Sequence, residues 1–364
     1  MRILLIVFSV FCLGLSARAA SVDSKIERFP LLSQEAVMRI PEQLAVDLER
    51  IKRRTSDPER KLKMLVEYLF LDSGLGMRYE ADATLTVAEA YAQRRANCLS
   101  FTLLSLAAAR AVGLTAYPQD LSDVLIWAQD GSLTYRISHV NTGIAIGEQR
   151  FAIDVAFNRL ISQRYPRRIS DQTLLANFFS NRAVDFLVAG EMEAAQTYQS
   201  QAMRLAPKSS RILNNAGVIA QRLGQADLAE RHYRAALARN RFEDSALANL
   251  ALLFERQGRA PKAEPLLKRL SKVRARNPFY QFQQGLKAEA EGNWDLALKY
   301  YQRANGLHRD EHRFHFALAR AHLMLGHRKQ AEHELQLASR LSKGDQQTRY
   351  RQKLARLSER RASS

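Results

Sequence analysis

The chain opens on an unbroken apolar run, Ile3 to Leu15, and no later stretch matches its length without a charge. Its 13 residues fall short of the about 20 that a membrane-spanning helix needs. With Arg2 before it and Ala17-Arg18-Ala19 after it, the run reads as an export signal over residues 1–19. An uncleaved anchor is the rival reading. Residues 20–45 read as an extended lead-in. Apolar positions then return at helical spacing, at Leu44, Val46, Leu48 and Ile51 and again at Leu62, Leu65, Val66 and Leu69, with a break at Asp57-Pro58. Thr86 is placed to cap a short helix through Glu89 and Tyr91. Arg94-Arg95-Ala96-Asn97-Cys98 leads into Leu103, Leu104, Leu106 and Ala107 to Ala111 before Gly113, which predicts a buried helix with a polar start. Beyond Gly113 the period shortens to that of strands, over 116–121, 124–128, 133–140, 143–146 and 151–155, with a turn at Asp130-Gly131.

The C-terminal half is periodic on a longer scale. Gly190, Gly224, Gly258, Gly292 and Gly326 stand 34 residues apart, and each is followed five residues later by alanine: Ala195, Ala229, Ala263, Ala297 and Ala331. Ala202, Ala236, Ala304 and Ala338 recur seven further on, with Leu270 as the exception. Each glycine is expected to end one helix and turn into the next, and each alanine to mark a close helix crossing. Such a period with small residues at these offsets resembles the tetratricopeptide repeat. Gly217 and Gly285 match that family's first-helix glycine, Tyr233 and Tyr301 its second-helix aromatic, and Pro207 its terminating proline. Alanine replaces the glycine at Ala183, Ala251 and Ala319, and Pro261 and Pro265 predict an irregular second helix in the third unit. The resemblance implies five repeats over 176–343 with a concave face for a protein or peptide partner, followed by a capping helix or disordered tail over 344–364.

Composition adds one asymmetry. The formal net charge is +18, and Ser180 to the end carries 33 basic and 18 acidic residues against 20 and 19 over 20–179. The positive charge therefore belongs to the repeats. It serves solubility or an acidic partner, with an anionic envelope surface as another candidate. Export argues against nucleic acid. Six histidines from His308 to His333 lie at intervals that spread them over several helix faces, and no metal site or cofactor is expected from them.

Only two cysteines occur, Cys12 and Cys98, and cleavage of the signal would leave Cys98 as the one thiol. It falls in the first turn of its predicted helix, where the helix dipole favours a thiolate. His139 follows 41 residues on, inside a predicted strand, and Asp154 a further 15, inside another. A cysteine nucleophile needs an imidazole for its proton and a carboxylate to orient that imidazole. Taken singly, Cys98 reads as a buried small hydrophobe, His139 as a satisfied strand residue and Asp154 as a turn or cap. Taken in order, the three resemble the transglutaminase-like superfamily, whose Cys-bearing helix packs on an antiparallel sheet carrying the His and then the Asp.

That resemblance covers the domain over 46–175 and implies an α+β fold ahead of the all-α repeat solenoid. It implies Cys98 as nucleophile, His139 as general base and Asp154 as orienting carboxylate. Ala96, where glycine is frequent, and Asn141, where an aromatic often follows the His, depart from the pattern. The Cys98 backbone N–H is a natural oxyanion donor, with Asn97, Tyr91 and Tyr79 as candidates for a second. The resulting expectation is an exported, periplasmic or secreted cysteine acyl-transfer enzyme carrying a partner-binding array. The alternative is a non-catalytic envelope adaptor.

Overall fold

The computed structural model describes residues 29–81, 83–121, 126–130, 133–137, 139–155, 166–342 and 344–362. The expected signal at 1–19 lies outside them. The segment read as an extended lead-in holds helix α1 (Gln34–Met38) and the start of α2 (Glu42–Arg54). Ser33 caps the first of these, and Val37 and Leu44 are drawn into the core, so burial of a few apolar residues overrides a weak local pattern.

After α2 the chain breaks where Asp57 caps α3 (Pro58–Phe70), with the proline in its tolerated first-turn place. Strand β1 (Arg78–Tyr79) precedes α4 (Val87–Gln93), which starts on a capping box between Thr86 and Glu89. Strand β2 (Arg95–Ala96) pairs parallel with β1. Helix α5 (Cys98–Ala111) then runs through the middle of the domain, every residue from Cys98 to Ala109 buried. Nearly continuous apolar sequence gives a helix enclosed on all sides.

The sheet order is β7-β6-β3-β8, all antiparallel: β3 (Thr115–Asp120), β6 (Val140–Ile146), β7 (Gln149–Ile153) and β8 (Arg167–Arg168). A separate hairpin joins β4 (Ile126–Asp130) and β5 (Leu133–Ile137). The mixed α/β region with its small antiparallel sheet was anticipated; two details were not. His139 sits one residue before β6 and Asp154 one residue after β7, so both stand at strand ends rather than inside strands.

Five helix pairs follow. They are α6 (Asp171–Val188) with α7 (Met192–Leu205), α8 (Ser210–Arg222) with α9 (Ala226–Arg239), and α10 (Asp244–Arg256) with α11 (Ala260–Ala275). Next come α12 (Pro278–Ala290) with α13 (Trp294–Leu307) and α14 (His312–Met324) with α15 (Arg328–Leu341), and α16 (Gly344–Ala362) closes the array. The first helix begins at Asp171, five residues ahead of the expected boundary, because Ser170 supplies its cap. Helix α11 runs unbroken through Pro265. The tail continues as helix to Ala362.

The five periodic glycines all adopt positive φ, from +69° to +81°, with open space where a Cβ would lie. Backbone conformation alone therefore selects glycine there. At Gly217 the reason is contact: a Cβ would enter the Tyr233 ring, and Gly285 stands likewise against Tyr301. One apolar core extends from Val37 through the α/β domain into the third repeat, reaching Ala263. Among the described residues no helix is long and apolar enough to cross a membrane.

Candidate functional site

Cys98 is the first residue of α5, and Asn97 before it caps the helix, its side-chain oxygen accepting from the Ser100 N–H at 2.9 Å. Three hydroxyls in this otherwise apolar helix fix its position. Ser100 accepts from the Leu85 N–H at 2.6 Å and donates to the Ala83 carbonyl at 2.9 Å. Thr102 donates to the Cys98 carbonyl at 2.7 Å and the Val140 carbonyl at 3.0 Å, and Ser105 meets the Thr142 hydroxyl at 2.7 Å. Two of the three thus tie α5 to β6, so the head of the helix lies level with the head of the strand. The Leu121 N–H donates to the His139 carbonyl at 2.9 Å, which holds the backbone there.

The side chains converge across this frame. His139 Nε2 lies 2.7 Å from Asp154 Oδ2, and the imidazole also hydrogen-bonds the Cys98 side chain, which leaves Nδ1 for the sulfur. Extending the β6–β7 register by one step sets Asn141 opposite Asp154. The Asn141 amide donates to Asp154 Oδ2 at 3.2 Å, so this carboxylate oxygen accepts from two donors. Burial, the largest single influence on His139, works against its charged form. The hydrogen bonds from Asp154 and Cys98 and their negative charges outweigh it and push the imidazole up to about 9. The group is also well enclosed: Cys98 is 6% exposed, and the side chains of His139 and Asp154 are 3% and 9% exposed.

Cys98, His139 and Asp154, far apart in sequence, therefore meet. The oxyanion candidates divide. The Asn97 amide NH₂ donates to Thr84 Oγ1 at 3.0 Å while its oxygen caps α5. Tyr91 interacts instead with Tyr68, whose hydroxyl donates to Asp47 at 3.0 Å. Tyr79 pairs through its backbone with Ala96, two residues ahead of Cys98. Asn141, a departure from the family pattern in sequence, joins the site in the structure through its bond to Asp154. The available signal was its position two residues after His139, which puts it on the same strand face. Among the described residues no cluster of three or more His, Cys, Asp or Glu side chains suits a metal ion.

The repeats are joined to this domain by polar contacts as well as by the shared core. Asp120, 1% exposed at its side chain, lies 2.9 Å from Arg211 of α8 and 3.6 Å from Arg167. Arg182 of α6 donates to the Thr84 carbonyl at 3.0 Å, Tyr198 of α7 to the Pro30 carbonyl at 2.9 Å, and Arg110 pairs twice with Asp171.

Two tetratricopeptide-repeat family models match the chain, at residues 210–242 and 288–357. A comparison with curated proteins finds no match. Among solved structures, pilF of Pseudomonas aeruginosa is 18% identical, covering 53% of this chain and 99% of its own at a TM-score of 0.28. A thermophilic tetratricopeptide protein of Thermus thermophilus is 21% identical over 50% and 98%, with a TM-score of 0.27. YrrB, described as having an unusual peptide-binding site, is 17% identical over 49% and 92%, with a TM-score of 0.26. The C-terminal half of the chain is a tetratricopeptide array, a protein-binding module.

Proposed function

We propose that the chain is an exported cysteine acyl-transfer protein whose repeats hold a protein or peptide partner for the cysteine domain. The observation that carries this reading is the 2.7 Å contact between His139 Nε2 and Asp154 Oδ2, with the Cys98 sulfur at the other side of the ring. The order of these residues, and their setting on a helix head and two strand ends, supports the resemblance to the transglutaminase-like superfamily.

In this chemistry the Cys98 sulfur attacks an amide carbonyl carbon. The oxyanion that forms takes a hydrogen bond from the Cys98 backbone N–H at the positive end of α5. The carbon–nitrogen bond breaks as His139 gives its proton to the leaving amine, and a thioester remains on Cys98. Water or a second amine then attacks the thioester, His139 takes the incoming proton, and the acyl group leaves as an acid or a new amide. Asp154 holds the ring in register throughout. Hydrolysis and cross-linking differ only in that second nucleophile.

The enclosure of the three side chains favours a second reading, an envelope adaptor in which the domain serves as a scaffold. Alkylation of Cys98 by iodoacetamide at neutral pH separates the two. The acyl-transfer reading expects labelling faster than that of a free peptide thiol and slowed about tenfold or more in His139→Ala. Labelling slower than the peptide thiol and indifferent to His139→Ala supports the adaptor.

A further inference from the structure

A cavity of about 690 Å³ opens at the turn between α9 and α10, where Arg241 and Phe242 face the C-terminal half of α11. Five cationic side chains line it: Arg241, Lys268, Arg269, Lys272 and Arg276. Among the described residues no carboxylate does. The nearby Glu243 is buried and turned to Ser210, whose hydroxyl donates to it at 2.7 Å. The Arg269 guanidinium is held by the Arg241 carbonyl, with its Nε donating at 2.9 Å, and the Arg241 guanidinium lies over the Phe242 ring at 4.6 Å. Phe242 is itself 53% exposed, and Val273 and Pro265 extend the apolar wall.

Lys268 and Lys272 share one face of α11, and Arg276, the residue that caps its C-terminus, continues the four-residue spacing, so the three repel each other along it. Only the C-terminal members gain from the helix dipole. A row of like charges beside an exposed aromatic, with no acid lining the cavity, presents a surface complementary to an acidic ligand. Successive members of the row stand about 6 Å apart. Alternate side chains of an extended peptide stand about 6.5–7 Å apart.

We propose that this cavity docks an extended acidic segment of a protein partner. Carboxylates at alternate positions pair with Lys268, Lys272 and Arg276, and an apolar side chain of the segment packs on Phe242. A peptide fits better than a lipid surface because the cations line the walls of a recess, where a flat bilayer meets only the rim. The proposal rests on reading the repeats as a binding array and is independent of the chemistry at Cys98.

The test is fluorescence anisotropy on the full chain with a labelled peptide of alternating glutamate and alanine carrying one phenylalanine. The expected result is binding that the glutamine counterpart lacks. The triple variant Lys268→Glu, Lys272→Glu, Arg276→Glu should weaken it about tenfold or more. Phe242→Ala should weaken it only for the peptide that carries phenylalanine. Lys287→Glu, Lys299→Glu, Lys329→Glu makes the same charge change elsewhere on the array and should leave affinity within about twofold. Equal loss in both triples, or no binding of the probe, overturns the proposal. So does loss of binding to phosphatidylglycerol vesicles in the first triple with peptide affinity unchanged. Cys98 alkylation in the same variant, expected to be unaltered, keeps the failure of this site distinct from failure of the acyl-transfer reading.

Discussion

The Asp120 carboxylate at the end of β3 and the Arg211 guanidinium in the first turn of α8 meet at 2.9 Å, joining the sheet that carries His139 to the second repeat. Asp120 is the register partner of Val140, the residue after His139. The array is therefore anchored one step from the candidate site. The contact ties the second repeat to the strand that pairs with the one beginning at Val140.

Breaking this contact leaves a buried charge short of its partner. Asp120→Ala strands Arg211 and should destabilise the chain by about 3 kcal/mol. Calorimetry is expected to show the α/β domain and the repeats melting in two transitions rather than one.

The imidazole of His139 is pushed up to about 9 because Asp154 and Cys98 favour its charged form more than burial opposes it. Its folded value is raised, so the stability it contributes is complete below about 6.5 and is lost as pH rises through about 9. Asp154→Asn removes the leading favourable contact. An NMR titration of the His139 ring is then expected to show its midpoint displaced downward.

Asn141 shares Asp154 Oδ2 with His139 and fixes which way that carboxylate faces. Asn141→Ala should cost about 1.5–3 kcal/mol, the usual range for a hydrogen bond to a charged group. As a positioning residue it should also slow Cys98 alkylation and move the His139 midpoint, while a structural role alone would leave that midpoint in place.

In the last repeats both nitrogens of His315 face oxygens, Glu334 Oε2 at 2.6 Å and the Arg309 carbonyl at 2.8 Å, an arrangement that favours the charged ring with an N–H on each nitrogen. Burial, the largest influence, lowers its titration point, but these contacts prevail and raise it. The contribution to stability is full below the ordinary histidine value and disappears as pH rises through the higher folded one. Urea unfolding at pH 6 and pH 9 should show the loss, and His315→Gln should reduce this pH dependence to the part that His139 carries.

Gly217→Ala should destabilise although alanine is the better helix former. The gain in helix propensity is about 1 kcal/mol, whereas forcing a methyl group into the Tyr233 ring costs about 1–3 kcal/mol. Thermal melting of that variant, and of Gly285→Ala against Tyr301, should show a lowered Tm in each case.

The repeat array was legible because its signals are local and recur. A glycine at positive φ every 34 residues states where each turn falls whatever surrounds it. The capping box at Thr86 and the helix head at Cys98 were legible for the same reason, since a cap engages residues within one turn. Asn97 shows the limit: its place as the helix cap is local, but the bond from its amide to Thr84 joins residues that sequence spacing alone does not bring near.

Sequence alone determined the helix starts at Thr86 and Cys98, the repeat period, the sign of the charge on the array and the order of thiol, imidazole and carboxylate. Tertiary structure decided which atoms touch. His139 reaches Asp154 through the β6–β7 register, Asn141 joins them by facing the same carboxylate, and Asp120 finds Arg211 across 91 residues of chain. Backbone preference and apolar period act over a few residues. Register, and pairing between distant elements, follow from the packing of the whole core, which no short stretch of sequence specifies.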